Sequence, residues 1–257
     1  MRALRVLREV ELIAAEDTRT TQILLRNYGI NTRIVSYNEH NMDRRTPQLL
    51  ATMKTGDVAL VSEAGTPGVS DPGHELIAAT IAAGHSVVPI PGPSAIIAAL
   101  VTSGLPMRQF TFLGFLSRGP AERRRALAQI AVETRTLVVF ESPHRLRQTL
   151  EDLRQILSGR RLAVCRELTK VFEEVFRGTA AEALTHFPDP RGEFTIVIEG
   201  ATDQPRPLSD DEIRRYLQEA KDRGLSGRDA VKAVSAAAGR PRREIYTLWL
   251  QFSEDHG

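Results

Sequence analysis

Cysteine is nearly absent from this chain, with one residue, Cys165, in 257. A lone thiol closes no intramolecular disulfide, so nothing here calls for an oxidising compartment. The six histidines are scattered without Cys/His spacing, so no metal is expected. Long apolar runs are missing too. The longest, Ala95 to Val101, falls far short of the ~20 residues a membrane helix needs. The first residues carry Arg2, Arg5, Arg8 and Glu9 among apolar neighbours, unlike a secretory leader. The expectation is a cytoplasmic protein with no membrane partner. Lysine is also scarce: Lys54, Lys170, Lys221 and Lys232 stand against thirty arginines. Codon bias in a GC-rich genome explains that ratio, and so does bidentate phosphate recognition. Composition alone does not choose between them.

What is present is an ordinary globular composition, 42% apolar and 26% charged with a net charge of +2. Such a chain buries a real core, and its length lies between one large and two small domains. The first half alternates helix and strand patterns. Helices are expected at 1–8, 18–27, 44–53 and 75–83, with strands at 11–15, 33–37, 57–61 and 86–90. That rhythm predicts a parallel, doubly wound α/β sheet over residues 1–105. Residues 106–200 read as a second α/β layer with antiparallel pairs, including strands at 110–115, 137–141, 161–166, 171–177 and 194–199. A proline-rich linker, 201–208, leads to three short helices within 209–252.

Ligands of open α/β sheets sit beyond the carboxyl ends of strands. Two loops at such ends are unusually constrained: Ser62–Gly73 (SEAGTPGVSDPG) and Pro91–Ala95 (PGPSA). Their glycines fit neither GxGxxG nor GxxxxGK(S/T), which argues against a dinucleotide or P-loop site. Pro93 and Ser94 open a helix whose free amides attract an anion. Glu16–Thr20 (EDTRT), Phe140–Arg145 (FESPHR) and the LTK stretch with Glu173 and Glu174 repeat the pattern of strand end and polar residues. Singly, each fits an ordinary cap or ion pair, and Asp17 and Thr18 are good N-caps.

These segments, with SYNEHN (Ser36–Asn41) and FLGF (Phe112–Phe115), resemble in order the ribosomal RNA small subunit methyltransferase I family. That family is a branch of the tetrapyrrole methylase-like superfamily. The resemblance implies a two-domain α/β fold with a small carboxyl-terminal helical extension similar to a helix-turn-helix. It implies a homodimer that binds S-adenosylmethionine between its domains and methylates a cytidine ribose 2′-hydroxyl in small-subunit ribosomal RNA. Cofactor contacts carry over to Gly65, Thr66, Pro67, Gly68, Ser70, Asp71, Ser94, Ala95, Leu113 and Gly114. Family members begin with a further strand and a TPIGN-type loop, ahead of the helix that opens this sequence. Without that strand, a gap is expected beside the strands leading into PGPSA and SEAGTPGVSDPG; a start called too late is the favoured explanation.

A ribose hydroxyl needs a proton acceptor, and Glu63 and Lys170 are the candidates, the latter if its pKa is lowered. Glu141 and Glu173 are held in reserve, and Arg19 is a candidate for orienting a phosphate. Candidate RNA contacts are Arg118, Arg123, Arg124, Arg125, Arg145, Arg242 and Arg243. Arg147 and Arg240 belong to the same clusters. Leu248, Trp249 and Phe252 read as core of the tail. The alternatives are a small-molecule tetrapyrrole methyltransferase and a truncated, non-catalytic RNA-binding remnant. The basic segment 118–125 and the helical tail speak against the tetrapyrrole substrate.

Overall fold

The computed structural model describes residues 1–202, 210–222, 225–238 and 240–254. Its contacts divide the chain into Met1–Gly200 and Ala201–Gly257. The first unit opens with α1 (Arg2–Glu9), β1 (Leu12–Ala15), α2 (Thr18–Asn27), β2 (Arg33–Ser36), α3 (Met42–Thr52), β3 (Val58–Val61), α4 (His74–Ala82) and α5 (Ala95–Ser103). The three strands form a parallel sheet in the order β2-β1-β3. The central strand, Leu-Ile-Ala-Ala, is buried throughout, as a strand covered on both faces must be.

The strand expected at 86–90 does not form. Among the described residues β3 pairs only with β1, and 86–90 joins no ladder. A strand is stable only beside a hydrogen-bonding neighbour, and here its apolar residues stand in solvent, Val87 at 45% and Val88 at 61% exposure.

The second sheet contains β4 (Phe110–Phe115), β5 (Thr136–Glu141), β6 (Arg161–Arg166), β7 (Glu174–Thr179) and β8 (Phe194–Ile198), in the order β4-β5-β8-β6-β7. β4 and β5 run parallel, and β8 and β7 make the expected antiparallel pairs. The helices α6 (Pro120–Gln129), α7 (Pro143–Ile156) and α8 (Ala180–His186) complete this unit. Leu127, Leu146, Leu150 and Leu153 of α6 and α7 share one buried cluster with Leu137, Val139, Val164 and Ile196 of the sheet. On the other face, Ala99 and Leu100 of α5 pack against Val138, Ala163, Cys165 and Val197. Although α5 precedes residue 105, it lies on the second sheet.

β7 begins at Glu174, later than expected. Residues 167–173 instead make a tight connection with Glu167 and Thr169 at φ 48° and 70°. The Lys170 ammonium fastens it by donating to Glu167 and Glu193 at 2.9 and 2.8 Å.

The second unit contains α9 (Asp210–Asp222), α10 (Gly227–Ala238) and α11 (Arg242–Glu254). Ile213, Leu217, Val231, Val234, Ile245 and Leu248 form its core, with Trp249 packed against them. The linker residues 203–208, Gly239 at the expected turn and the Phe252 side chain lie outside the described residues. Among the described residues, no helix is long and apolar enough to cross a membrane.

Candidate functional site

EDTRT, SYNEHN and SEAGTPGVSDPG leave the carboxyl ends of three adjacent parallel strands, so the topology brings them to one rim. At that rim the Glu63 amide donates to Glu16 Oε2 at 3.2 Å, and Thr20 Oγ1 donates to Glu63 Oε1 at 3.1 Å. Asp71 completes a carboxylate trio. Burial, then the charges of Glu16 and Glu63, pushes the Asp71 carboxyl up to about 6, against an opposing hydrogen bond from Ser62. Sequence reasoning placed Asp71 at the cofactor but missed this upward shift of its carboxyl. The signal was available as three acids at neighbouring strand ends.

The loop after β3 follows a fixed path. Gly73 adopts φ 150°, and a Cβ there would come within 2.9 Å of Leu60 and 3.0 Å of the Gly68 amide nitrogen. Ser70 sits at φ 62°, an uncommon conformation for a side-chain-bearing residue. Its Oγ lies 3.2 Å from where a Cβ on Gly114 would stand, so the loop abuts the FLGF strand. Space is open at two glycines: a Cβ on Gly65 or on Gly92 would meet nothing within 4 Å. Ser94 caps α5 by accepting from the Ile97 amide at 3.5 Å, leaving the first amides of that helix without intrahelical partners. Gly65, Thr66 and Ala95 are exposed, Pro67 and Gly68 half-buried, and Leu113 half-buried on β4. The structure thus joins Ser70 to Gly114. No hydrogen bond links Ser94 or Ala95 to that loop among the described residues.

The candidate bases fare differently. Glu63 is exposed on the rim. Lys170 is an ion-pair clamp, and its two carboxylate partners raise its pKa, the reverse of what a base requires. Glu141 is buried, accepting from the Ser142 amide at 2.8 Å and Thr149 Oγ1 at 2.6 Å. Glu173 accepts from the Thr169 amide inside the tight connection. Arg19 is exposed and paired with Asp17, whose carboxyl it holds down at about 2.

The arginines also divide. Arg123 is buried against Asp152 at 2.6 Å, so its guanidinium is not presented to solvent. Arg124 is half-exposed, 3.7 Å from the same carboxylate. Arg118, Arg125, Arg242 and Arg243 are exposed. Arg145 turns inward, donating to the Leu116 and Ser117 carbonyls at 2.6 and 3.0 Å. Arg147 holds the Leu184 and Phe187 carbonyls, and Arg240 bridges Asp210 and Glu244.

A profile of the family described as Tetrapyrrole (Corrin/Porphyrin) Methylases matches residues 1–184. The chain belongs to this family. Tetrapyrrole methylases are S-adenosylmethionine-dependent methyltransferases, and this chain is one of them. It is 46% identical to the protein named ribosomal RNA small subunit methyltransferase I of Synechocystis sp., over 99% of this chain and 93% of that one. The protein of the same name from Halalkalibacterium halodurans is 41% identical, with 97% and 89% covered. In fold the chain resembles uroporphyrin-III C-methyl transferase from Thermus thermophilus, solved with S-adenyl homocysteine. That match has a TM-score of 0.53 at 18% identity, over 77% of this chain and 89% of the other.

Proposed function

We propose that this chain methylates the ribose 2′-hydroxyl of a cytidine in small-subunit ribosomal RNA, as a cytoplasmic homodimer. The observation that carries this reading is its likeness, over nearly the full length of both chains, to proteins named for that RNA. The exposed Arg118 and Arg125, and the helical unit bearing Arg242 and Arg243, suit the phosphates of an extended nucleic acid.

The residues at the strand ends fit S-adenosylmethionine. The open backbone at Gly65 and Gly92 permits close approach, and the free amides at the start of α5 suit its carboxylate. The Gly65–Asp71 loop, Ser94, Ala95, Leu113 and Gly114 hold it in this reading. When bound, its sulfonium supplies an electrophilic methyl group. The protein's part is to set the 2′-oxygen in line with that methyl and its leaving sulfur, which supplies much of the acceleration. Glu63, exposed and steadied by Thr20, takes the hydroxyl proton. Arg19 steers the neighbouring phosphate.

The test is transfer of labelled methyl from S-adenosylmethionine to intact small subunits and to naked RNA, followed by nucleoside mapping. The expected product is 2′-O-methylcytidine. Label that enters a porphyrinogen but not RNA would overturn the reading. Glu63→Gln is expected to slow transfer at least ~100-fold with cofactor affinity intact. Near-normal transfer by that variant would remove Glu63 from its role.

A further inference from the structure

At the carboxyl ends of β4 and β5 lies a cavity of about 560 Å³, lined in part by Phe115, Arg118, Ser142, His144 and Arg145. Its size falls within the ~300–1,000 Å³ typical of ligand sites. Phe115 is 54% exposed. Its ring is backed by Phe140 at 5.7 Å, and Phe140 in turn by Phe112 at 4.9 Å. A solvent-facing aromatic fixed from behind by two others is a platform rather than a stray apolar side chain.

The backbone sets that platform deliberately. The β4–β5 register shifts between Phe112 and Phe115, with Gly114 at φ 63°, so the strand is re-aimed immediately before Phe115. Arg145 fixes the neighbouring wall through the Leu116 and Ser117 carbonyls, and is itself held 3.5 Å from buried Glu141. Arg145 is thus a positioning residue here. Arg118 and His144 are left exposed on the lining. Gly114, which abuts Ser70 of the loop after β3, is the residue next to Phe115.

We propose that this cavity receives one unpaired base of the RNA substrate, stacked on Phe115, with Arg118 and His144 serving its phosphates. The assignment rests on the RNA reading above. An aromatic face beside cations is the chemistry by which proteins hold single-stranded nucleotides, and it is distinct from the carboxylate rim of the first sheet.

The test is retention of small ribosomal subunits by the full chain, compared among wild type, Phe115→Leu, Phe115→Trp and Arg118→Ala. Phe115→Leu keeps an apolar side chain but removes the flat face. It should weaken binding about 5- to 150-fold, with melting temperature and S-adenosylmethionine affinity unchanged, while Phe115→Trp stays near wild type. If Phe115→Leu lowers the melting temperature, Arg118→Ala carries the test, and should weaken binding with a salt slope reduced by about 1. Wild-type binding by Phe115→Leu, by a cooperatively folded Arg118→Ala, or equal weakening by Leu and Trp would overturn the assignment. Failure of the wild-type chain itself to bind would overturn the RNA reading, and this assignment with it.

Discussion

Ser70 Oγ occupies the space beside Gly114, at 3.2 Å from where a Cβ would be. This meeting ties the loop after β3 to β4. Gly114→Ala therefore adds a crowded contact and also places an alanine at φ 63°, a left-handed conformation that costs roughly 1–2 kcal/mol. The variant should lose about 1–3 kcal/mol of stability, measured by urea unfolding, and bind S-adenosylmethionine more weakly by calorimetry. Adding Ser70→Ala relieves the crowding but not the backbone strain. The double variant should regain affinity more fully than stability.

Asp71 makes stability depend on pH in a defined direction. Its carboxyl holds a proton up to about 6, against an ordinary value of 3.8, so the folded chain binds that proton more tightly than the unfolded chain. The resulting stabilisation is complete below the unfolded value and fades as pH rises through the folded one. Asp71→Asn removes this dependence. Denaturant midpoints compared across pH should show the variant gaining on wild type from about pH 4 to about pH 6, and staying level above that. The gain should be about 1 kcal/mol or less, because solvent screens a partly exposed carboxyl. A gain that grows toward low pH would contradict this account.

The buried pair Arg123–Asp152 separates structural arginines from those available to RNA. Asp152→Ala strands a buried guanidinium and should cost about 3–5 kcal/mol. Replacing both partners, as Arg123→Met with Asp152→Leu, should be far milder and leave RNA affinity near wild type. Arg125→Ala, at an exposed position, should instead weaken RNA binding and lower its salt slope by about 1. Equal effects of the double and the Arg125 variants on RNA binding would contradict the division.

Much of this was legible in the sequence because it is written in local pattern. The apolar runs of β1 and β5, the alternation of helix with strand and the glycine-rich loop all follow from neighbouring residues. The arginines show where local pattern stops. Residues 123, 124 and 125 are identical in sequence, yet helical geometry buries only Arg123, against Asp152, which lies 29 positions away, while Arg124 reaches the same carboxylate from a half-exposed position. Lys170 looked like a base until Glu193, from a different strand connection, came within 2.8 Å. The segment 86–90 has strand composition, but a strand is a property of pairs, and among the described residues it pairs with none. Phe115 escaped notice for a similar reason: a bulge two residues wide, invisible in composition, decides which way the strand faces.

The position of α5 has a mechanical consequence. Ser94 caps it and Ala95 opens it, while its body is seated on β6 and β8 through Ala99 and Leu100. Arg177 of β7 also grips the Thr102 carbonyl near its far end. The helix is therefore an arm anchored in the second sheet. Any tilt of that sheet carries Ser94 and Ala95 with it, so in the proposed reading the fit around the methyl donor and the posture of the RNA-facing sheet move as one lever.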